Sequence, residues 1–265
     1  MQSSERPLLE SRNVRVSVPG RLLVDELDLS LQRGELIAIL GQNGAGKTLT
    51  LLTLAGLRDA DRGHVLLDGE NILESKRQVT ARRLALLPQI VDDIFPATVL
   101  DTVLIGRHPH IGPLKWESNA DLEIAREALR TMGLEDMSAR DVLTLSGGER
   151  RRLAIAQILT QAPDVYLLDE PTNHLDPQHQ IDALRIFRRA ADAGAGVIAC
   201  LHDVNLAVRF ADRCLLLFGD GRWQLGQSQE ILNESGLSEL FATKMEAVSW
   251  RSHNLFVAGS DDAAL

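Results

Sequence analysis

Long hydrophobic runs are missing from this sequence of 265 residues. Apolar stretches such as residues 36–40, 51–57 and 214–218 are far shorter than the roughly 18 residues that a membrane-spanning helix needs. The first ten residues combine a proline with charged side chains, so no secretory signal or transit peptide is visible. We therefore expect a chain that does not cross a bilayer by itself and that works in the cytoplasm.

Cysteine and lysine are also scarce. The two cysteines, Cys200 and Cys214, lie in apolar segments without metal-site spacing, a pattern typical of buried thiols in a reducing compartment. Only four of the 28 basic residues are lysines, so Lys47, which follows a glycine-rich segment, stands out. The 37 acidic residues give a formal net charge of −9, which argues against a general affinity for nucleic acid.

The hydrophobic pattern predicts a folded chain, since 45% of the residues are apolar. Strand-like and helix-like segments alternate, which indicates an α/β fold with a mainly parallel sheet and helices on its faces. The predicted strands are 8–18, 27–31, 36–40, 64–67, 84–87, 165–168, 196–201 and 214–218; the predicted helices are 47–57, 118–133, 150–159, 178–193 and 205–210. We assign residues 1–220 to one domain with a helical insert at about 90–160, and residues 221–265 to a small α+β extension with a frayed acidic end.

A glycine-rich segment joins the third predicted strand to a predicted helix and matches the pattern G-x-x-x-x-G-K-[ST]. It consists of Gly41, Gln42, Asn43, Gly44, Ala45, Gly46, Lys47 and Thr48. Glycines allow successive backbone N–H groups to converge on phosphate oxygens at a helix N-terminus. We expect this P-loop and the adjoining Leu49 to bind a nucleotide, with Lys47 at the β- and γ-phosphates and the Thr48 hydroxyl on Mg²⁺.

Two adjacent carboxylates, Asp169 and Glu170, follow a predicted buried strand. Charges at the end of such a strand are costly in free energy unless they have a task. Asp169 is the natural partner of Mg²⁺, and Glu170 is placed to accept a proton from an attacking water. Acids at a strand end can instead cap a helix or pair with basic side chains, an alternative that the upstream P-loop weakens.

Residues 145–149 read LSGGE. Ser146 and Glu149 have the spacing of a capping box, in which each side chain bonds the backbone N–H of the other residue. A cap does not explain Gly147 and Gly148, which lower helix stability and leave the first N–H groups of the helix bare. Because bare N–H groups at a helix N-terminus bind anions, the chain has a second candidate phosphate site.

The order GAGKT, LSGGE and a hydrophobic strand ending in Asp-Glu resembles the nucleotide-binding subunit of ABC (ATP-binding cassette) transporters over nearly the whole chain. The resemblance implies a P-loop NTPase core with an N-terminal antiparallel β-subdomain and an inserted helical subdomain. It also implies ATP and Mg²⁺ as ligands, and a homodimer in which the signature of one copy closes over the γ-phosphate held by the other. The signature comprises Ser146, Gly147, Gly148 and Glu149, where the family most often has glutamine in the last position.

Three more positions match motifs of the family. Gln89 resembles the Q-loop glutamine, which contacts Mg²⁺ and the attacking water and senses the membrane subunit. His202 resembles the switch histidine, which contacts the γ-phosphate and holds Glu170, and Asp176 resembles the D-loop aspartate, which acts across the dimer interface. The resemblance thus assigns Glu170, His202, Gln89 and Lys47 to catalysis, and Thr48, Gln89 and Asp169 to Mg²⁺.

One position departs from the family pattern. The family usually has an aromatic residue near the first strand that stacks on adenine, whereas residues 16–19 read VSVP. Val18 would contact the base through apolar atoms without a π-face, so we expect weaker base selectivity.

The residues of several segments indicate a subfamily of ABC ATPases. Residues 106–110 (GRHPH), 169–176 (DEPTNHLD) and 202–212 (HDVNLAVRFAD) are similar to the ATPases of bacterial importers for iron-siderophore, haem and cobalamin. This similarity implies a separate polytopic permease, an extracytoplasmic substrate-binding protein and a place on the cytoplasmic face of the bacterial inner membrane. The alternative is a soluble ABC ATPase with a regulatory or assembly role; a P-loop kinase or GTPase is disfavoured because the sequence has no N-K-x-D motif.

Two further segments have plainer interpretations. The run Arg150, Arg151 and Arg152 is expected to form a solvated helix face that can contact a nearby acid; the alternative is a patch that binds nucleic acid. The apolar segment 94–96 is either part of the core or the place where the family receives a helix of its membrane partner.

Overall fold

The computed structural model describes residues 6–89, 96–112, 114–251 and 253–259. Residues 94 and 95 of the apolar segment and the acidic end from residue 260 lie outside the described residues. Within the described ranges, no helix is both long and apolar enough to span a membrane.

The strands and helices alternate along most of the chain. The strands are β1 (Leu9–Val18), β2 (Arg21–Leu31), β3 (Leu36–Leu40), β4 (Arg62–Leu67), β5 (Glu70–Asn71), β6 (Leu84–Leu87), β7 (Val165–Asp169), β8 (Gly196–Cys200), β9 (Arg213–Leu217), β10 (Trp223–Gln227), β11 (Met245–Trp250) and β12 (His253–Ala258). The helices are α1 (Lys47–Leu54), α2 (Arg77–Arg83), α3 (Val99–Leu104), α4 (Asn119–Thr131), α5 (Gly147–Gln161), α6 (Pro177–Asp192), α7 (Val204–Phe210), α8 (Ser228–Ile231) and α9 (Glu234–Phe241). Short 3-10 helices lie at Ile105–His110, Glu135–Met137 and Val142–Thr144.

In the described part of the chain, the main sheet has six strands in the order β10-β9-β3-β8-β7-β6, and all pairs are parallel except β10 with β9. Its central strand β3 is buried along its whole length. Leu36, Ala38 and Leu40 belong to an apolar cluster with α5 and α6, whereas Ile37 and Ile39 belong to a cluster with the antiparallel sheet. The α/β fold with a mainly parallel sheet is therefore confirmed.

The N-terminal antiparallel sheet has the order β2-β1-β4-β5. Strand β2 begins at Arg21, six residues before the predicted start. The first part of the strand was not predicted because Glu26 has a left-handed backbone (φ 51°). This conformation interrupts the alternation of apolar and polar side chains. At the turn between β1 and β2, Val18 and Arg21 are cross-strand partners.

The helical region lies between β6 and β7, where α3 and α4 pack against α5. Helix α4 begins with a capping box formed by Ser118 and Asp121 and is followed by Gly133 with a positive φ of 65°. Helix α2, before this region, was not predicted. Only Thr80 is buried in it, so the sequence carries no apolar stripe there.

The C-terminal residues are tied to the main sheet at two places. Strand β10, which begins just after the predicted boundary at residue 221, is the edge strand of that sheet. The hairpin of β11 and β12 lies on α7, where the side-chain amide of Asn205 bonds both backbone groups of Phe256. Its Nδ2 donates to the Phe256 carbonyl (3.1 Å), and its Oδ1 accepts from the Phe256 N–H (2.8 Å).

Candidate functional site

The strand order brings the candidate residues to one edge of the main sheet. The P-loop follows β3, His202 follows β8, Glu170 follows β7 and Gln89 follows β6. These four strands are neighbours and parallel, so their carboxyl ends lie at the same edge, where ligands bind in sheets of this type.

The P-loop wraps tightly around its own lysine. The Lys47 ammonium is buried and donates to the carbonyl oxygens of Gly41 (2.8 Å) and Gln42 (3.2 Å). A Cβ on Gly41 would lie 2.5 Å from the Leu217 carbonyl oxygen, so only glycine fits there. Helix α1 begins at Lys47, which places bare N–H groups at the loop.

A cavity of about 670 Å³ lies over the P-loop. It is lined by Val18, Arg21, Leu23, Asn43, Gly44, Gly46, Lys47, Thr48, Leu49, Gln89, Glu170 and His202. Its volume suits a nucleotide-sized ligand. None of the four signature residues is among the described residues that line it.

Glu170 lies at the end of this cavity, and its two carboxylate oxygens are held by three side chains. His202 Nε2 lies 2.5 Å from Oε1, and Gln89 Nε2 donates to Oε2 at 2.8 Å. Asn173 Nδ2 also donates to Oε2. Glu170 has a left-handed backbone (φ 51°), which costs about 1 kcal/mol for a residue with a Cβ. The carboxylate is thus fixed in one orientation on a strained turn, as is common for catalytic groups.

Asp169, one residue earlier, is buried with little compensation. Its Oδ1 atom has no hydrogen-bond partner among the described residues, and its side chain is 3% exposed. Burial raises the pKa of Asp169, although hydrogen bonds from the Thr48 hydroxyl and the Cys200 thiol act in the opposite direction. A buried carboxylate oxygen without a partner, beside a threonine hydroxyl, is a donor set that fits a hard divalent cation such as Mg²⁺.

Arg151 is not part of a solvated helix face, so that prediction was wrong. Its side chain is 4% exposed, and its Nη2 donates to the carbonyls of Asp169 and Glu170, each at 2.7 Å. Its Nη1 donates to the carbonyl of Pro88 at 2.7 Å. Burial lowers the pKa of Arg151 to about 10. One guanidinium therefore joins the signature helix α5 to the segments that carry Gln89 and Glu170.

The signature segment forms the predicted capping box. The Ser146 N–H donates to Glu149 Oε2 (2.7 Å), and the Glu149 N–H donates to Ser146 Oγ (3.3 Å). A Cβ on Gly147 would meet no described atom within 4 Å. Packing within this chain therefore does not require glycine at position 147.

The remaining candidates have contacts of their own. Asp176 caps α6, where its Oδ1 accepts from the His179 N–H (3.0 Å). That bond and the contact with the His179 ring lower the pKa of Asp176. Ala45 is buried in the P-loop, and its N–H donates to the Gln42 carbonyl at 3.1 Å.

The sequence did not predict a role in the site for Arg21, Leu23, Arg151 and Asn173. Arg151 carried a usable signal, because Ala154 and Ile155 lie three and four positions later and are buried on the same helix face. Arg21 acts through a tertiary contact with Gly219 that no local pattern records, whereas Asn173 bonds Glu170, only three residues away.

These features define the class of this protein. A P-loop between a buried strand and a helix, a held glutamate after the neighbouring strand of a parallel sheet and a separate LSGGE segment belong to P-loop ATPases of the cassette type. A family model described as ABC transporter matches residues 24–173, more than half of the sequence. The chain belongs to this family, and the prediction of an ABC-type ATPase is confirmed.

Relatives of known family match this chain over most of its length. The chain is 38% identical over 259 residues to the hemin import ATP-binding protein HmuV of Pseudomonas fluorescens (strain Pf0-1), covering 95% of this chain and 100% of that protein. It is 36% identical to the petrobactin import ATP-binding protein FpuD of Bacillus anthracis, over 88% and 86% of the two chains. A solved metal-chelate type ABC transporter in an inward-facing conformation matches with a TM-score of 0.83 and 27% identity, over 96% of this chain and 98% of that chain.

Proposed function

We propose that this chain hydrolyses ATP to energise the import of a metal chelate, such as haem, an iron-siderophore or cobalamin, through a separate permease. The observation that carries the proposal is the held glutamate beside a P-loop cavity in a chain whose relatives are named as hemin and petrobactin import proteins. The proposed place of the chain is the cytoplasmic face of the bacterial inner membrane, where a permease and an extracytoplasmic binding protein complete the importer.

In the proposed reaction, ATP lies along the P-loop with its β- and γ-phosphates at Lys47 and at the N-terminus of α1. Glu170 accepts a proton from a water molecule, whose oxygen then bonds to the γ-phosphorus in line with the departing ADP oxygen. His202 and Gln89 keep the Glu170 carboxylate in place, since both bond it directly. Lys47 neutralises the charge that moves onto the bridging oxygen.

Thr48, Asp169 and Gln89 would hold Mg²⁺ in this proposal. When bound, the ion would supply positive charge that offsets the negative charge of the phosphates. The Oδ1 atom of Asp169 supports this assignment, because it is a buried hydrogen-bond acceptor without a partner among the described residues.

We propose a homodimer because the signature does not line the cavity of its own chain. Ser146, Gly147, Gly148 and Glu149 would reach the γ-phosphate held by a second copy, with Asp176 at the interface between the two. Gly147 supports this arrangement. It leaves open space beside the first N–H groups of α5. The phosphate of a nucleotide bound to a second copy can approach these groups closely.

The proposal is tested by reconstituting the chain with its permease and binding protein in liposomes. ATP inside the liposomes should drive the uptake of one of the three chelates, and the Lys47→Ala variant should abolish that uptake. If ATP is hydrolysed but none of the chelates accumulates and no permease co-purifies, the alternative of an ATPase with a regulatory or assembly role is favoured.

A further inference from the structure

One wall of the nucleotide cavity is built by the hairpin of β1 and β2. Val18 and Arg21 are direct cross-strand partners, so their side chains leave the same face of the hairpin. Leu23 lies two residues after Arg21 along β2 and therefore points to the same side. All three side chains line the cavity together with the P-loop.

The guanidinium of Arg21 is anchored by its edge. Its Nε donates to the carbonyl oxygen of Gly219 at 3.0 Å. A Cβ on Gly219 would lie 2.8 Å from Nη2, and a Cβ on Gly44 would lie 3.9 Å from Nη1. Gly219 thus leaves room for the planar group beside the P-loop, whereas the Gly44 position would make only an ordinary contact with it. A hydrogen bond in the plane of the guanidinium uses its edge, whereas stacking uses its face.

The hairpin wall carries no phenyl, phenol or indole ring among the described residues that line the cavity. Val18 and Leu23 offer apolar contact without a flat π-face. A guanidinium is planar and stacks on aromatic rings, and it combines this stacking with a cation–π attraction. Arg21 is therefore the residue of this wall whose side chain can stack on a nucleobase.

We propose that the guanidinium of Arg21, flanked by Val18 and Leu23, stacks on the purine ring of the bound nucleoside triphosphate. This inference rests on the proposed binding of ATP and identifies the residue that replaces an aromatic stacking partner. A guanidinium face contacts the π-system of the base and does not read its hydrogen-bonding edge. The site therefore accepts adenine and guanine with similar affinity.

A positive charge near the P-loop could instead contact phosphate, and the test separates the two roles. The dissociation constants of ATP, GTP and inorganic tripolyphosphate are measured by calorimetry for the wild type and for Arg21→Ala, Arg21→Lys and Arg21→Trp. We expect Arg21→Ala to lower the affinity for ATP and GTP about tenfold and to leave the affinity for tripolyphosphate unchanged. Lysine should fail to restore ATP binding, whereas tryptophan should restore it to within about threefold of the wild type.

Full rescue by lysine, or a parallel loss of ATP and tripolyphosphate affinity in Arg21→Ala, would overturn the inference. The control is Arg12→Ala on the same hairpin. Arg12 bonds Glu10 and does not line the cavity, so this variant should keep the ATP affinity of the wild type. A wild type that binds neither ATP nor tripolyphosphate would contradict the proposed function itself. Wild-type binding that all three Arg21 variants retain would contradict only the role of Arg21.

Discussion

Arg151 donates a hydrogen bond of 2.7 Å to the backbone carbonyl of Glu170, although the two residues belong to different motifs. Arg151 lies in the first turns of the signature helix, and Glu170 directly follows strand β7. The same guanidinium bonds the Pro88 carbonyl, next to Gln89. Because three segments share one buried cation, a shift of the signature helix also moves the turn that orients the proposed catalytic base.

The Arg151→Lys variant tests this coupling. An ammonium reaches fewer carbonyls than the forked guanidinium, so some buried carbonyls lose their partner. We expect kcat for ATP to fall about tenfold while KM changes less than twofold, because the P-loop contacts remain. The control is Arg152→Lys, since Arg152 bonds the Met132 carbonyl, outside the three joined segments. Equal losses of kcat in both variants, or a loss explained by unfolding at the assay temperature, would contradict the coupling.

The Glu170→Gln variant tests the proposed base. An amide keeps the shape of the carboxylate but cannot accept the proton of water, and a general base typically contributes a factor of 100 to 10,000. We expect ATP turnover to fall at least about 100-fold while the variant binds ATP and elutes from a sizing column as the proposed dimer. Turnover near that of the wild type would remove Glu170 from the role of base.

The Gly147→Ala variant tests the interface function of the signature. An added methyl group would meet none of the described atoms within 4 Å, and alanine favours the helix by up to about 1 kcal/mol over glycine. We expect thermal stability equal to or above that of the wild type and an ATPase rate lower by roughly tenfold or more, because in the proposed dimer the methyl group would block the approach of the second copy. A variant that is stable and fully active would show that nothing closes on Gly147.

The Asp169→Asn variant tests the buried carboxylate through its pH dependence. Burial raises the pKa of Asp169 in the folded state above the value of 3.8 expected in the unfolded chain. Protonated Asp169 therefore favours folding, and this contribution is lost as the pH rises through the folded-state pKa. Asparagine has no proton to lose, so the variant should melt roughly 2–4 °C above the wild type at pH 8.

The measurement is thermal unfolding of both proteins without nucleotide and in the presence of EDTA. The gain of the variant should shrink as the pH falls toward 4, where wild-type Asp169 also becomes neutral. A constant difference between the two proteins across this range would mean that the titration of Asp169 is not its source.

The site residues that could be predicted from the sequence are those whose role depends on residues close to them along the chain. The strand from Val165 to Asp169 was recognised because its apolar run ends abruptly in two acids, and the capping box of Ser146 because its partner lies three residues away. Arg151 was misjudged because its partners are backbone carbonyls up to 63 residues distant in sequence. Arg21 was missed because the proximity of Gly219, 198 residues away, depends on how β9 and the β1–β2 hairpin meet in the folded chain.

The contact of Asn205 with Phe256 also links the segment after His202 to a tryptophan whose fluorescence can be measured. Asn205 lies three residues after His202, and through Phe256 it bonds the hairpin whose exposed Trp250 is one of only three tryptophans. A displacement of His202 that moves α7 would carry this indole into a different environment. The intrinsic tryptophan fluorescence of the chain would then change when the nucleotide binds.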